Sequence, residues 1–262
     1  MDLGLNERAV LVTGGSKGIG FACARGFAAE GARVAIASRD AAHLAHAAER
    51  LAADGIDVFT VAVDLREPAQ AADMVRAAEA RLGPLDVLVN SAGAARRTPP
   101  GELSAAHWQA AMAAKYFTTV NAIDAALPGM AQRGAGAIVN VIGMGGKVAT
   151  PTHLPGGAAN AALMLATAGL AQAFAARGVR INAVNPGLTA TERLQEGFAA
   201  EARASGQPAE ALLAARERAL PLGRFASPDE IADVVVFLAS RRASYVNGAI
   251  VSMDGGATAL VV

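Results

Sequence analysis

Short apolar runs alternate with longer Ala-rich helical segments along nearly the whole chain, and this alternation limits the possible folds most strongly. The apolar runs are near-continuous, which is typical of strands covered on both faces. Strands that alternate with helices in this way form a parallel sheet. The sequence therefore predicts an α/β fold: a Rossmann-type, doubly wound parallel sheet of seven strands with helices on both faces.

The predicted elements follow one another without a linker, repeat or change in composition. The strands are expected at 9–13, 33–38, 57–63, 87–90, 137–142, 180–184 and 250–253. The helices are expected at 18–30, 41–54, 69–82, 104–132, 158–176 and 228–239. Residues 188–225 show no strand pattern, so we expect a helical substrate lid there, within one nucleotide-binding domain that spans residues 1–262.

Charge and cysteine content exclude several classes of function. Lys+Arg and Asp+Glu balance at 23 each, so nothing indicates binding to nucleic acid or to an anionic membrane surface. The single cysteine, Cys23, lies in an apolar helical pattern and is interpreted as a buried structural thiol. No signal peptide or membrane-spanning run is apparent. We expect a cytoplasmic protein with a small-molecule substrate and no metal ion.

A glycine-rich turn, TGGSKGIG, comes directly after the first predicted strand and opens into a helix. Glycine allows such a turn to approach a pyrophosphate closely, and the free N–H groups of the following helix face the phosphates. Strand, turn and helix are all present, so the turn predicts dinucleotide binding. The candidate residues are Gly14, Ser16, Lys17, Gly18, Ile19 and Gly20.

The second strand ends in Ser38 and Arg39, where NAD-specific sites usually have an acidic residue that binds the adenosine ribose. With Lys17 in the glycine turn, two cations are available for the 2′-phosphate of NADP(H). The alternative is that both are ordinary surface charges. We predict NADP(H) as the cofactor.

TGGSKGIG resembles the TGxxxGxG signature of the short-chain dehydrogenase/reductase superfamily. The resemblance continues in Asp64, in Asn90-Ser91-Ala92-Gly93 for the family's NNAG, and in Asn185-Pro186-Gly187. It ends with PLGRFASPDEIADVVVFLAS and VNGAIVSMDGG, so it covers essentially the whole chain in order.

The resemblance implies that Asp64 contacts the adenine, that Asn90 supports the adenosine end of the pocket, and that Pro186, Gly187 and Thr191 hold the nicotinamide end. It also implies a homo-oligomer, a tetramer or dimer in which the fourth and fifth predicted helices form a bundle. The further cofactor-binding residues expected from it are Leu65, Ala92, Gly93 and Thr189.

The residues that carry the family's chemistry are predicted to be missing. In the family a tyrosine supplies the proton, a lysine one turn later lowers the pKa of that tyrosine, a serine stabilises the alkoxide, and an asparagine organises a water. The flanking motifs align these positions with Gly156, Asn160, Gly143 and Lys115, respectively. Glycine has no side-chain donor, so the usual mechanism is not available.

Lysine and asparagine have exchanged places as Lys115 and Asn160, and His153 precedes Gly156 by three residues. We predict Lys115, His153 and Asn160 as catalytic candidates, because an imidazole pKa ordinarily suits proton transfer near neutrality. Tyr116 is a weaker candidate for the proton donor. Lys147 is a possible contact for an anionic substrate.

Helical geometry predicts that Lys115 faces the cofactor pocket. In a regular helix it shares a face with small residues, and a buried lysine there needs a partner such as Asn160 or a ribose hydroxyl. The residues expected on that face are Trp108, Ala111, Lys115, Thr118, Thr119 and Ala122.

Three functions remain open from the sequence. The first is an atypical NADP(H)-dependent oxidoreductase acting on a small carbonyl, enone or imine with a non-standard proton donor. The second is a non-redox lyase or hydrolase on the same scaffold. The third is a catalytically silent NADP-binding subunit.

Overall fold

Seven parallel strands form one sheet in the computed structural model, which describes residues 2–259. The strand order is β3-β2-β1-β4-β5-β6-β7. Successive strands are therefore added on one side of β1 up to β3 and on its other side from β4 onwards, and the switch point lies between β1 and β4. Helices cover both faces. The predicted doubly wound parallel sheet is confirmed.

The strands lie close to their predicted positions. They are β1 Ala9–Thr13, β2 Arg33–Ser38, β3 Val58–Ala62, β4 Val87–Asn90, β5 Gly136–Val141, β6 Val179–Pro186 and β7 Ile250–Met253. The largest difference is at β6, which extends through Asn185 to Pro186 because this end pairs with β7. A proline is compatible with the end of a strand, where its missing N–H costs no ladder hydrogen bond.

The helices are also close to prediction, with one interruption. They are α1 Gly18–Ala29, α2 Ala41–Ala53, α3 Pro68–Leu82, α4 Ala105–Ala111, α5 Thr118–Arg133, α6 Leu154–Phe174, α7 Glu192–Ser205, α8 Ala209–Arg218 and α9 Pro228–Ala239. Helix α6 begins four residues earlier than expected, with Pro155 at a first-turn position that tolerates proline. Helices α7 and α8 occupy the expected helical segment, whose role as a lid stays a prediction.

The predicted helix 104–132 is divided by one π-helical turn, Met112–Phe117, which contains Lys115. Such a turn changes the angular relation between the helices before and after it. The common face expected from a regular helix is therefore wrong for Trp108, which is 39% exposed, whereas Thr118, Thr119 and Ala122 are buried.

Apolar side chains form a core on each face of the sheet. Phe27, Ile36 and Ile231 belong to one cluster, and Met74 and Met130 belong to the other. Cys23 is fully buried in the first cluster, and burial raises the pKa of its thiol to about 12. The interpretation of Cys23 as a structural thiol agrees with this environment.

One helical segment, Pro151–Arg177, is long and apolar enough to cross a membrane by length and composition, with a mean hydropathy of 1.3. The expectation that no such run exists was therefore wrong. The segment contains α6, which packs along β6 and buries Ala159, Leu163 and Ala171. Its hydropathy arises from the alanines and leucines of a helix that covers the sheet.

Arg180 of β6 connects the sheet to the end of α9. Its guanidinium donates hydrogen bonds to the carbonyl oxygens of Leu238, Ala239, Ser240 and Val246 at 2.8–3.2 Å. Three of these carbonyls lie at the end of α9, where the helix cannot satisfy them itself. The arginine thus caps this helix from the neighbouring strand.

Replacing this cap is expected to destabilise the fold. Arg180→Met should lower the free energy of unfolding by about 2–3 kcal/mol, because hydrogen bonds from a charged donor are lost and carbonyls remain unpaired. Urea denaturation followed by circular dichroism measures this. Arg177→Met, at an exposed position nearby, is the matched control, and an equal loss in both variants would contradict the capping role.

Candidate active site

The glycine-rich turn lies against the loop that follows β4. Gly14 has φ +68°, and a Cβ there would come within 2.7 Å of the Ser91 carbonyl oxygen and 2.8 Å of the Ala92 nitrogen. A Cβ at Gly20 would lie 2.2 Å from the carbonyl oxygen of Gly14. Only glycine permits these approaches, and together they leave a backbone cradle at the start of α1.

The first turn of α1 carries backbone N–H groups into this cradle. Its N-cap residue, Lys17, makes no side-chain capping hydrogen bond. The first amides of a helix have no partner within the helix, and they bind phosphate groups well. The described residues here therefore fit a pyrophosphate.

The adenosine end of the site carries exposed cations. Lys17 and Arg39 are both exposed, and the half-buried Ser38 ends β2. The nearest acid along the chain, Asp40, is used as a helix cap: its Oδ1 accepts hydrogen bonds from the amides of Ala42 and His43 at 2.9 and 3.0 Å. These bonds keep the pKa of Asp40 below its usual value, with a smaller contribution from Lys17.

Asp64, the residue predicted to contact adenine, is paired with Arg66. The Arg66 guanidinium donates to both carboxylate oxygens, with Nε at 3.0 Å from each. This pairing lowers the pKa of Asp64 to about 2, so the carboxylate is ionised. Leu65 is buried, and its carbonyl accepts a hydrogen bond from Asn121 at 2.8 Å. The adenine contact stays a prediction.

Asn90 begins a buried polar chain beneath the site. Its Nδ2 donates to Asn140 Oδ1 at 2.9 Å, and Asn140 Nδ2 donates to Thr167 Oγ1 at 3.0 Å. Asn90 Oδ1 is buried and has no partner among the described residues. Buried acceptors are ordinarily paired. An unpaired one at this place fits a hydrogen-bond donor of the predicted cofactor.

The segment after β6 was predicted to hold the nicotinamide end of the cofactor, which stays a prediction. The Gly187 amide donates to the Met253 carbonyl at 2.9 Å. Thr189 is buried, and Thr191 caps α7 through its Oγ1, which accepts from the Leu194 amide. A Cβ built on Gly18 would lie 3.4 Å from Thr191 Cγ2. The segment from Pro186 to Thr191 thus reaches back to the glycine turn.

His153 occupies the space in which a tyrosine at the predicted position would begin. A Cβ built on Gly156 would lie 2.3 Å from His153 Cε1 and 2.6 Å from Nε2. On the other side, a Cβ at Gly145 would lie 3.1 Å from His153 Cδ2. The imidazole is therefore held between two glycines, and its buried Nδ1 has no partner among the described residues.

Gly143, the predicted serine position, lies against Asn160. Gly143 has φ +123°, a conformation that L side chains rarely adopt. Asn160 Nδ2 donates to the Gly143 carbonyl at 3.3 Å, while Asn160 Oδ1 is buried without a partner in the described part of the chain. The side chain thus offers one free acceptor at the site.

Lys115 extends from the π-helical turn beside the loop after β4. A Cβ built on Gly93 would lie 3.5 Å from Lys115 Cα and 3.6 Å from Cγ. Burial, followed by the nearby charge of Arg193, lowers the pKa of Lys115 to about 8. Lys115 is therefore desolvated beside the loop after β4, and its role in the site stays a prediction.

The same cations act on His153. Burial lowers the pKa of His153 to about 4, with further contributions from Lys115, Arg97 and Arg193 in that order. The ordinary imidazole pKa, which suits proton transfer near neutrality, does not hold here, because the ring is desolvated and positive charges act on it. The histidine is neutral at pH 7.

Sequence reasoning missed Arg97 and Arg193. Arg97 follows the NSAG motif by four residues and Arg193 follows Thr191 by two, so proximity to cofactor motifs was the available signal. Lys147 instead donates from Nζ to Ser252 Oγ at 3.1 Å, next to β7. Tyr116 packs into a small apolar cluster with Leu163 and against Phe117.

Residues 14–258 match the family model described as Enoyl-(Acyl carrier protein) reductase. A 2-(S)-hydroxypropyl-CoM dehydrogenase 3 of Xanthobacter autotrophicus is 35% identical over 257 residues, covering 98% of each chain. An inactive 2-(S)-hydroxypropyl-CoM dehydrogenase 2 of the same organism is 36% identical over 239 residues, covering 90% of this chain and all of the relative.

L-sorbose reductase from Gluconobacter frateurii, solved with NADPH and L-sorbose, superimposes with a TM-score of 0.93 at 32% identity over the whole of both chains. The chain belongs to the short-chain dehydrogenase/reductase superfamily. The resemblance found in the sequence motifs is thereby confirmed, and the chain is an oxidoreductase by family. The loss of the four family catalytic residues stays a prediction.

Filling the space beside His153 is expected to change its ionisation. Gly156→Ala should displace the imidazole towards solvent, so the pKa of His153 should rise from about 4 towards 6.5. NMR titration of the histidine ring protons measures this shift. Gly169→Ala, in the same helix but with nothing within 4 Å of its Cβ, should leave the pKa unchanged, and an equal response in both would contradict this packing.

Proposed function

We propose that this chain is an NADP(H)-dependent oxidoreductase in which the Lys115 ammonium supplies the proton that a tyrosine supplies elsewhere in the family. The observation that carries the proposal is the lowered pKa of Lys115, about 8, beside a neutral His153 that fills the space next to Gly156. The substrate class expected from this chemistry is a small carbonyl, enone or imine.

The described residues fit NADP(H). The glycine cradle and the free amides of α1 suit the pyrophosphate, Lys17 and Arg39 suit the 2′-phosphate, and the unpaired Asn90 Oδ1 offers an acceptor within the pocket. The NADPH present in L-sorbose reductase supports the same cofactor here. When bound, NADPH supplies a hydride.

Lys115 is a better acid than His153 at neutral pH. A histidine with a pKa of about 4 carries almost no proton at pH 7, whereas a lysine with a pKa of about 8 is mostly protonated. A proton donor works best when its pKa lies near the working pH. The neutral imidazole is then left to form a hydrogen bond with the substrate oxygen.

Bound NADPH would supply the hydride to the carbonyl carbon of the substrate. Lys115 Nζ would give its proton to the carbonyl oxygen, which gains the C=O π electrons, so that the alcohol forms. The neutral lysine would then regain its proton from water. Asn160, through its free Oδ1, accepts a hydrogen bond from the lysine or a ribose hydroxyl.

A silent NADP-binding subunit is the second candidate. Its support is the pair of glycines at the predicted tyrosine and serine positions, together with a full-length relative named as inactive. The two candidates differ in one result. Incubation with 4-deuterated NADPH and a panel of carbonyls, enones and imines gives deuterated product only if the chain transfers hydride.

The reduction rate is expected to depend on the protonation of Lys115. Because the protonated amine is the acid, kcat/KM for reduction should be constant below pH 7 and fall as pH rises through about 8. Lys115→Met should reduce the rate about 100-fold and remove this pH step. Deuterium transfer measured from pH 6 to 10 checks both results.

Lys147→Met is the matched control, since this ammonium is bonded to Ser252. It should change the rate less than threefold and retain the pH step, by the general magnitude of surface substitutions. A pH step that persists in Lys115→Met would assign the proton to another group and contradict the mechanism.

Cofactor preference is expected to depend on Lys17 and Arg39. Each charge-assisted contact should contribute about 1.5–3 kcal/mol to NADPH binding, so Lys17→Ala/Arg39→Ala should lower NADPH affinity to near that for NADH. Fluorescence titration with both nucleotides measures this. Arg76→Ala/Arg81→Ala removes the same charge from α3 and should retain the preference, whereas wild-type protein that binds both nucleotides equally would contradict the assignment.

A further inference from the structure

Two arginines contribute positive charge around His153, Arg97 and Arg193, and Arg193 also acts on Lys115. Arg193 lies in the first turn of α7, and its Nη1 donates to the Gly93 carbonyl at 3.1 Å. Gly93 in turn lies against Lys115, as the 3.5 Å approach of its built Cβ to Lys115 Cα shows. One hydrogen bond therefore holds the Arg193 guanidinium beside the lysine.

Arg97 lies in the loop after β4, next to the turn that carries His153. The Thr98 amide donates to the Thr152 carbonyl at 2.9 Å, which fastens the loop after β4 to the turn that carries His153. Ala95 of this loop closes over α6, because its Cβ is 2.8 Å from a Cβ built on Gly156. Arg97 is thereby positioned at the exposed rim of the same cleft.

These cations lack a counter-charge within the protein. Among residues 2–259, neither arginine has a carboxylate within 4.0 Å, whereas nine other arginines form ion pairs. Glu196 acts on Arg193 only at longer range. Lys115, Arg97 and Arg193 all act on His153, and a bound anion would offset the repulsion between these like charges.

We infer that Arg97 and Arg193 form an oxyanion-binding subsite, so that the substrate is a carbonyl compound carrying a carboxylate or sulfonate group. Guanidinium groups bind such oxyanions through paired, charge-assisted hydrogen bonds. Fixing the acidic group between the arginines would direct the neighbouring carbonyl at Lys115 and His153. This inference rests on the proposed oxidoreductase function and specifies its substrate.

The cofactor pyrophosphate is the other oxyanion in reach. The geometry favours the substrate, because Arg193 is bonded to Gly93 beside Lys115 rather than to the glycine turn. Arg97 lies beyond His153, in the loop that covers Gly156. The arginine variants distinguish the two oxyanions. If the arginines bind the substrate, the variants lose substrate affinity, and if they bind the pyrophosphate, the variants lose cofactor affinity.

The test measures binding without turnover. With protein saturated by NADP⁺, calorimetric titration compares acetoacetate and levulinate with their methyl esters, which retain the ketone and lack the charge. At least one acid should bind tenfold or more tightly than its ester. Arg97→Met/Arg193→Met should abolish this preference, and Arg193→Lys should retain part of it, because the charge remains without the planar guanidinium.

Arg203→Met is the matched control, since Arg203 lies ten residues along α7 from Arg193, about 15 Å away. It should retain the preference for the acids. The inference is overturned if neither acid binds better than its ester, if the preference survives in the double variant, or if that variant loses affinity for NADP⁺.

A separate readout distinguishes failure of the proposed function. Deuterium transfer from 4-deuterated NADPH reports hydride transfer directly. A preference for acids without deuterium transfer to any panel compound would contradict the oxidoreductase function but support the oxyanion subsite. Deuterium transfer to neutral carbonyls without a preference for acids would contradict the subsite but support the oxidoreductase function.

Discussion

Close approach of backbone segments at the carboxyl edge of the sheet is the constraint on which the site depends. Gly14 lies on the loop after β4, Gly20 packs on Gly14, and Gly93 lies on the π-helical turn at Lys115. A Cβ at the first two positions would meet backbone atoms at 2.2–2.8 Å, which neighbouring segments could relieve only by moving apart. The glycines thus allow the turn after β1 to lie directly against the start of α1 and the loop after β4.

The sequence predicted the sheet closely because its strands are buried on both faces and read as uninterrupted apolar runs. The cofactor turn was predictable for a related reason, since its glycines are required by local backbone geometry. The π-helical turn was not predictable from periodicity. The segment around it is rich in alanine, so its apolar pattern is too weak to show the shift of the helix face that the turn causes. With this turn Trp108 is exposed, while Lys115 is desolvated beside Gly93.

The ionisation of His153 could not be read from the sequence. Its lowered pKa results from burial between Gly145 and Gly156 and from cations contributed by three distant segments. Each of these contributions requires tertiary structure. Desolvation and like charge lower both pKa values by similar amounts, that of Lys115 from 10.5 to about 8 and that of His153 from 6.5 to about 4. The lysine, and not the histidine, is therefore the group of this pair whose pKa lies near neutral pH.

The packing of His153 on Gly156 couples these two positions. A Cβ at position 156 would overlap the imidazole where it now lies, so a larger residue there requires the ring to move. A substitution at position 156 is therefore also a change in the position and solvation of the histidine, and the two residues are expected to covary among related chains.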